Sequence, residues 1–109
     1  MTNATNVPLA CVPGAIPASE RDAHFERVSR LFGSLVRERR DLPDGQAYRF
    51  DAEAFDELAR WMIWERRCCP FLRFTLELEP DDGAIWLRLT GPEGTREFVE
   101  AEFHARPAA

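Results

Sequence analysis

The segment Glu65-Arg66-Arg67-Cys68-Cys69-Pro70-Phe71 gathers a carboxylate, two adjacent thiols and a proline in seven positions. On a helix a side chain faces the residues three and four positions ahead, which places Glu65 beside Cys68 and Cys69. Adjacent side chains diverge by about 100° on a helix and point to opposite faces of a strand, so neighbouring cysteines do not ordinarily share a ligand. Pro70 changes this by disfavouring helical backbone at Cys69. Cys68 then closes a helix, Cys69 is extended, and the two sulfurs can converge at the helix end. The chemistry such a pair supports is thiolate chemistry, because thiolate ligands select soft or borderline ions and binding displaces the proton. The negative end of the helix dipole opposes the thiolate, while Arg66, Arg67 and Arg73 favour it.

Three further residues are candidates for the same site. Cys11 lies in a stretch, residues 1–17, with no charged residue and with Pro8, Pro13 and Pro17, the composition of a flexible arm. Such an arm is long enough to span a small domain, and closing the loop costs little additional entropy, so Cys11 can supply a third sulfur. His24 falls at the edge of an apolar stripe and can reach the site. His104, near the end of the chain, is the poorer candidate. Other readings of the cysteine pair stay open: two small buried hydrophobes in a tight corner, or a strained vicinal disulfide.

The elements that must position these groups follow from periodicity. Ser19 with Asp22 three residues on signals a helix entry, and Phe25, Val28, Leu31, Phe32, Leu35 and Val36 carry a helical stripe that predicts an end near Arg40. Leu42-Pro43-Asp44-Gly45 reads as a turn, and 46–50 as a short strand with Tyr48 and Phe50 on one face, Gln46 and Arg49 on the other. Asp51 is placed to cap a second helix with the stripe Phe55, Leu58, Ala59, Met62 and with Trp61 and Trp64 on its flanks, stopping at Arg67 or Cys68. Leu72, Phe74, Leu76 and Leu78 alternate with polar residues as a half-buried strand. Pro80-Asp81-Asp82-Gly83 is a hairpin loop returning into Ile85, Leu87 and Leu89, with Glu77 opposite Trp86 and Thr75 opposite Arg88. Gly91-Pro92 opens a final helix anchored by Phe98 and Val99. The expectation is one two-layer α+β domain over 18–105, in the order α-β-α-β-β-α, with a small three-stranded sheet covered by helices on one face and a frayed tail at 106–109. Trp86, on the outer sheet face, could join Tyr48 or Phe71 in a patch for a second copy or a partner.

Composition narrows the function. The chain has 109 residues, and 45% hydrophobic content suffices for one core. Fourteen basic residues, every one of them arginine, face nineteen acidic ones. Net charge −5 argues against direct nucleic-acid binding. Absence of lysine excludes Schiff-base and phosphate-loop chemistry. No apolar run approaches the roughly 20 residues of a membrane helix, and the N-terminal stretch is unlike a signal peptide. The expected compartment is the cytoplasm, where an odd number of cysteines points to metal or redox chemistry rather than to disulfides.

Leu9-Ala10-Cys11, Ile16-Pro17-Ala18, Leu42-Pro43-Asp44-Gly45, 65–71 and Trp86-Leu87-Arg88-Leu89-Thr90-Gly91-Pro92-Glu93-Gly94 together resemble a family of small, largely uncharacterised bacterial proteins with an ERxCCPF and WLRLTGPEG pattern. Members of that family occur beside or fused to regulators of the mercury-responsive class. The resemblance covers nearly the whole chain and all three cysteines, and it implies a heavy-metal context. The resulting expectation is a soft-metal or metalloid binding protein, a sensor accessory or buffer, using Cys11, Cys68 and Cys69 with Glu65 and His24 as auxiliary ligands. The ion would be mercury, arsenite, copper(I) or zinc, and the partner a second copy or a regulator protein. A vicinal-thiol redox protein or thiol-dependent enzyme, and an interaction module without metal, are the alternatives; the enzyme question stays open.

Overall fold

A computed structural model describes residues 9–104. The expectations for 1–8 and 106–109 lie outside these residues. The elements are α1 (Ala18–Arg30), a π-type turn (Leu31–Leu35), β1 (Val36–Leu42), β2 (Gly45–Phe50), a 3-10 turn (Ala52–Ala54), α2 (Phe55–Cys68), β3 (Arg73–Leu78), β4 (Ile85–Thr90), α3 (Thr95–Val99) and a second π-type turn (Glu100–His104). The strands form one antiparallel sheet in the order β1-β2-β4-β3. The class is α+β as expected, but the sheet has four strands, not three.

The additional strand is β1, which the sequence reads as the last turns of α1. Gly33 lies where helix is weakest, since glycine costs about 1 kcal/mol relative to alanine inside a helix. α1 ends at Arg30, the π-type turn holding Gly33 follows, and from Val36 the chain gains a ladder, Arg39 opposite Tyr48 and Arg40 opposite Ala47. As an edge strand it is largely exposed on both faces, so it shows no period-2 pattern, and its Arg-Glu-Arg-Arg run is the charge expected of an edge that must not pair further.

Helix entries also differ from expectation. α1 starts after Pro17 with no side-chain cap, so Ser19 is not its N-cap; buried Ile16 anchors the chain directly before it. Asp51 does not cap α2. Its carboxylate binds Arg37 at 2.8 Å, and a 3-10 turn leads into the helix. Gly91-Pro92 lies in a turn, with the Gly91 N–H donating to the Asp44 carbonyl, and α3 starts only after Gly94, whose φ of 96° is glycine's territory.

The sheet's inner face carries Tyr48, Phe50, Ile85, Leu87 and Leu89, all at most 2% exposed. Helices cover this face, and Glu77, Arg88 and Trp86 project from the other. The register of the β3–β4 hairpin is the expected one, Glu77 opposite Trp86 and Thr75 opposite Arg88. α2 is rotated from its expected stripe. Leu58, Trp61 and Glu65 are buried, and Phe55 is 44% exposed. The indole of Trp61 decides the rotation, because it meets Phe32, Phe74 and Phe103 edge-on within an aromatic core. Likewise in α1 His24 and Val28 are buried, while Phe25 is exposed. Gln46 is buried rather than outward, its amide donating to Asp41 at 2.9 Å. Tyr48 and Phe71 are both buried, so neither joins Trp86 in a surface patch; the Arg40 guanidinium lies over the Trp86 ring instead.

Candidate metal centre

The site forms where α2 ends. The N–H of Cys69 still donates to the Glu65 carbonyl at 2.8 Å, but its backbone, at φ −120° and ψ 77°, has left the helix, as Pro70 requires. A helix end leaves its last carbonyls without internal donors. The Cys68 carbonyl is satisfied from outside, by the N–H of Val12 at 2.7 Å. This backbone bond, together with buried Ile16 and the packing of Leu9 on the core, docks the N-terminal segment and places Cys11 next to the pair.

Three sulfurs converge as a result. The Sγ atoms of Cys11, Cys68 and Cys69 all lie within 4.8 Å of one another, and Cys11 and Cys69 are in contact at 3.3 Å. All three are free thiols. Their exposure is graded: Cys11 lies at the surface, Cys68 is half-buried and Cys69 fully buried. A zinc–sulfur bond of about 2.3 Å in tetrahedral geometry spaces its sulfurs at about 3.8 Å. The triad brackets that spacing, so an ion of this size is accommodated by small side-chain rotations.

Glu65 and His24 stand behind the thiols as a buried chain rather than as a fourth corner. The Cys69 thiol donates to Glu65 Oε2 at 3.2 Å, and His24 Nε2 donates to Glu65 Oε1 at 2.8 Å. Both side chains are at most 5% exposed. His24 is thus committed to Glu65 through one nitrogen, and its Nδ1 is buried without a hydrogen-bond partner among the described residues. His104 is elsewhere, hydrogen-bonded to Tyr48 at 2.8 Å.

Burial settles the competition between dipole and arginines. It pushes the Cys68 thiol up to about 11, helped by Cys11 and by the Glu65 carboxylate. Burial first, and Glu65 second, push Cys69 up as well. The arginines expected to favour thiolate do not reach: Arg66 and Arg73 are exposed, and Arg67 stacks over the Trp64 ring at 5.0 Å. Both thiols of the pair are therefore protonated at neutral pH until something displaces the proton.

Sequence reasoning brought forward all three cysteines and Glu65, and placed His24 at the site, though as a ligand rather than as a partner of Glu65. It missed Val12, whose role is carried by a backbone N–H that no residue type announces. Compared with known protein families, with characterised proteins and with solved structures, the chain matches none. No helix among the described residues is long and apolar enough to cross a membrane.

Proposed function

We propose that the protein binds a soft metal or metalloid ion through Cys11, Cys68 and Cys69 and acts as a cytoplasmic buffer or as an accessory to a metal-responsive regulator. The observation that carries this reading is the convergence of three free sulfurs, drawn from segments 58 residues apart, within 4.8 Å. Thiol ligands suit mercury, arsenite, copper(I) or zinc, and the ion itself drives off the protons that burial holds on the sulfurs. The heavy-metal context implied by the sequence resemblance agrees with this reading. Glu65 supports it from behind by accepting the Cys69 proton's hydrogen bond.

A thiol-nucleophile function would require a member of the pair to titrate below the free value of about 8.5. Cys68 is pushed the other way, to about 11, and Cys69 is raised too, so the pair favours binding over nucleophilic catalysis. The test is titration of reduced protein with each of the four ions against competing chelators. At least one ion should bind tighter than micromolar, and the Cys68→Ser, Cys69→Ser double variant should lose that binding. Equal binding by the double variant, or no tight binding of any ion, would sink the proposal.

A further inference from the structure

A cavity of about 190 Å³ adjoins the triad, lined by Cys11 and Cys68, by apolar side chains including Val12, Val28 and Phe103, and by the charged residues Arg21, Glu65 and Glu102. Its lining is unequal in a way the triad alone does not require. Two of the three cysteines, Cys11 and Cys68, line it, and Cys69, whose thiol donates to Glu65, does not. An inorganic ion held by three sulfurs has no use for a mainly apolar cavity beside it. A cavity of roughly 150 Å³ lined by apolar side chains is large enough to take benzene. His24 lines the same cavity, and its Nδ1 is buried without a hydrogen-bond partner among the described residues.

We infer that this site takes a monosubstituted organic arsenic(III) compound, with arsenic bonded to Cys11 and Cys68 and its organic group in the cavity. The inference rests on the metalloid-binding reading above and narrows its ligand class. The stoichiometry favours it: arsenic(III) carrying one carbon substituent has two bonds left, and two of the three cysteines line the cavity. With phenylarsine oxide the step balances as two thiols plus one oxide giving one dithioarsenite and one water. Each S–H bond breaks, two As–S bonds form, the oxide oxygen leaves with both protons, and nothing is oxidised or reduced. Arsenite, with no carbon substituent, needs all three sulfurs instead.

Two variants separate the modes, assayed on the reduced full chain by calorimetric titration with phenylarsine oxide and with arsenite, stoichiometry being read by mass spectrometry. Cys69→Ser should weaken arsenite by at least about tenfold and leave phenylarsine oxide nearly unchanged, since it removes a ligand from one complex only. Val12→Trp should do the reverse. Its side chain is 44% exposed, and its tie to α2 is through the backbone, so the fold is retained while the cavity narrows. A loss of at least about tenfold is expected for the phenyl compound, the scale on which a pocket rejects misfitting bulk. If Cys69→Ser weakens both ligands equally, or Val12→Trp affects both or neither, the organic group does not occupy the cavity and the inference falls. Arsenite binding without any preference for the phenyl compound in the parent protein would also overturn it while leaving the broader proposal standing. Failure of both ligands to bind would remove the metalloid reading itself.

Discussion

Glu65 is the residue on which the site's architecture turns, because its two oxygens serve opposite neighbours, His24 on α1 and Cys69 beyond the end of α2. Removing a partner from a buried polar group costs about 1–3 kcal/mol for each group left unsatisfied. Glu65→Ala strands both, so urea denaturation of that variant should show a loss of about 3 kcal/mol. Glu65→Gln, which keeps the shape and one acceptor, should lose about half as much. A loss below about 0.5 kcal/mol, the level of an ordinary surface substitution, would show that the chain of contacts is not formed. The link between Glu65 and Cys69 was legible in the sequence, since it is a helical i to i+4 relation. The link between Glu65 and His24 was not. It spans 41 residues and depends on how two helices cross, which no local spacing encodes. His24 was legible only as a stripe-edge residue, although its spacing of four and seven to Val28 and Leu31 already lay on the buried face of α1.

At the scale of elements, the hairpins separate what local pattern can specify from what it cannot. β3 and β4 alternate and are joined by a short loop, so their register follows from counting outward. β1 carries no alternation, because an edge strand with both faces near solvent has no apolar side to mark it. Its pairing depends on β2, and β2 depends on Gly45. That residue sits where the chain turns from β1 to pair with both Leu42 and Thr90. A Cβ at this position would collide with the Leu89 carbonyl, which belongs to the backbone of β4 and has no rotamer with which to yield. Gly45→Ala should therefore cost about 2–3 kcal/mol by forcing two strands apart. Amide hydrogen exchange should show the loosening concentrated in β1 and β2 rather than in α2. A change below about 0.5 kcal/mol would mean that the strands are spaced more widely there.

At the scale of the whole molecule, the two ends of the described chain meet the same core from different sides. The N-terminal segment docks on α2 through Val12, and the C-terminal turn closes over the sheet. There Phe103 stacks on Phe32 at 4.8 Å, and the Tyr48 hydroxyl donates to His104 Nε2 at 2.8 Å. Phe103 also lines the cavity beside the cysteines, so the C-terminal turn is a wall of the candidate site. Burial, and secondarily Arg39, hold His104 below its ordinary value, while burial pushes Tyr48 above its own; the histidine stays neutral and the tyrosine stays protonated, as this hydrogen bond needs. A histidine whose folded value is depressed contributes stability that is complete above its unfolded value of about 6.5 and is lost as pH falls through and below it. The urea midpoint should accordingly fall between pH 7.5 and pH 5, and His104→Gln, which cannot acquire the proton, should fall less over the same interval. Parallel curves for the two proteins would mean that the turn is held by Phe103 alone. Because Phe103 lines the cavity, acid loosening of this turn should weaken phenylarsine oxide binding relative to arsenite over the same pH interval, and in His104→Gln that weakening should be smaller.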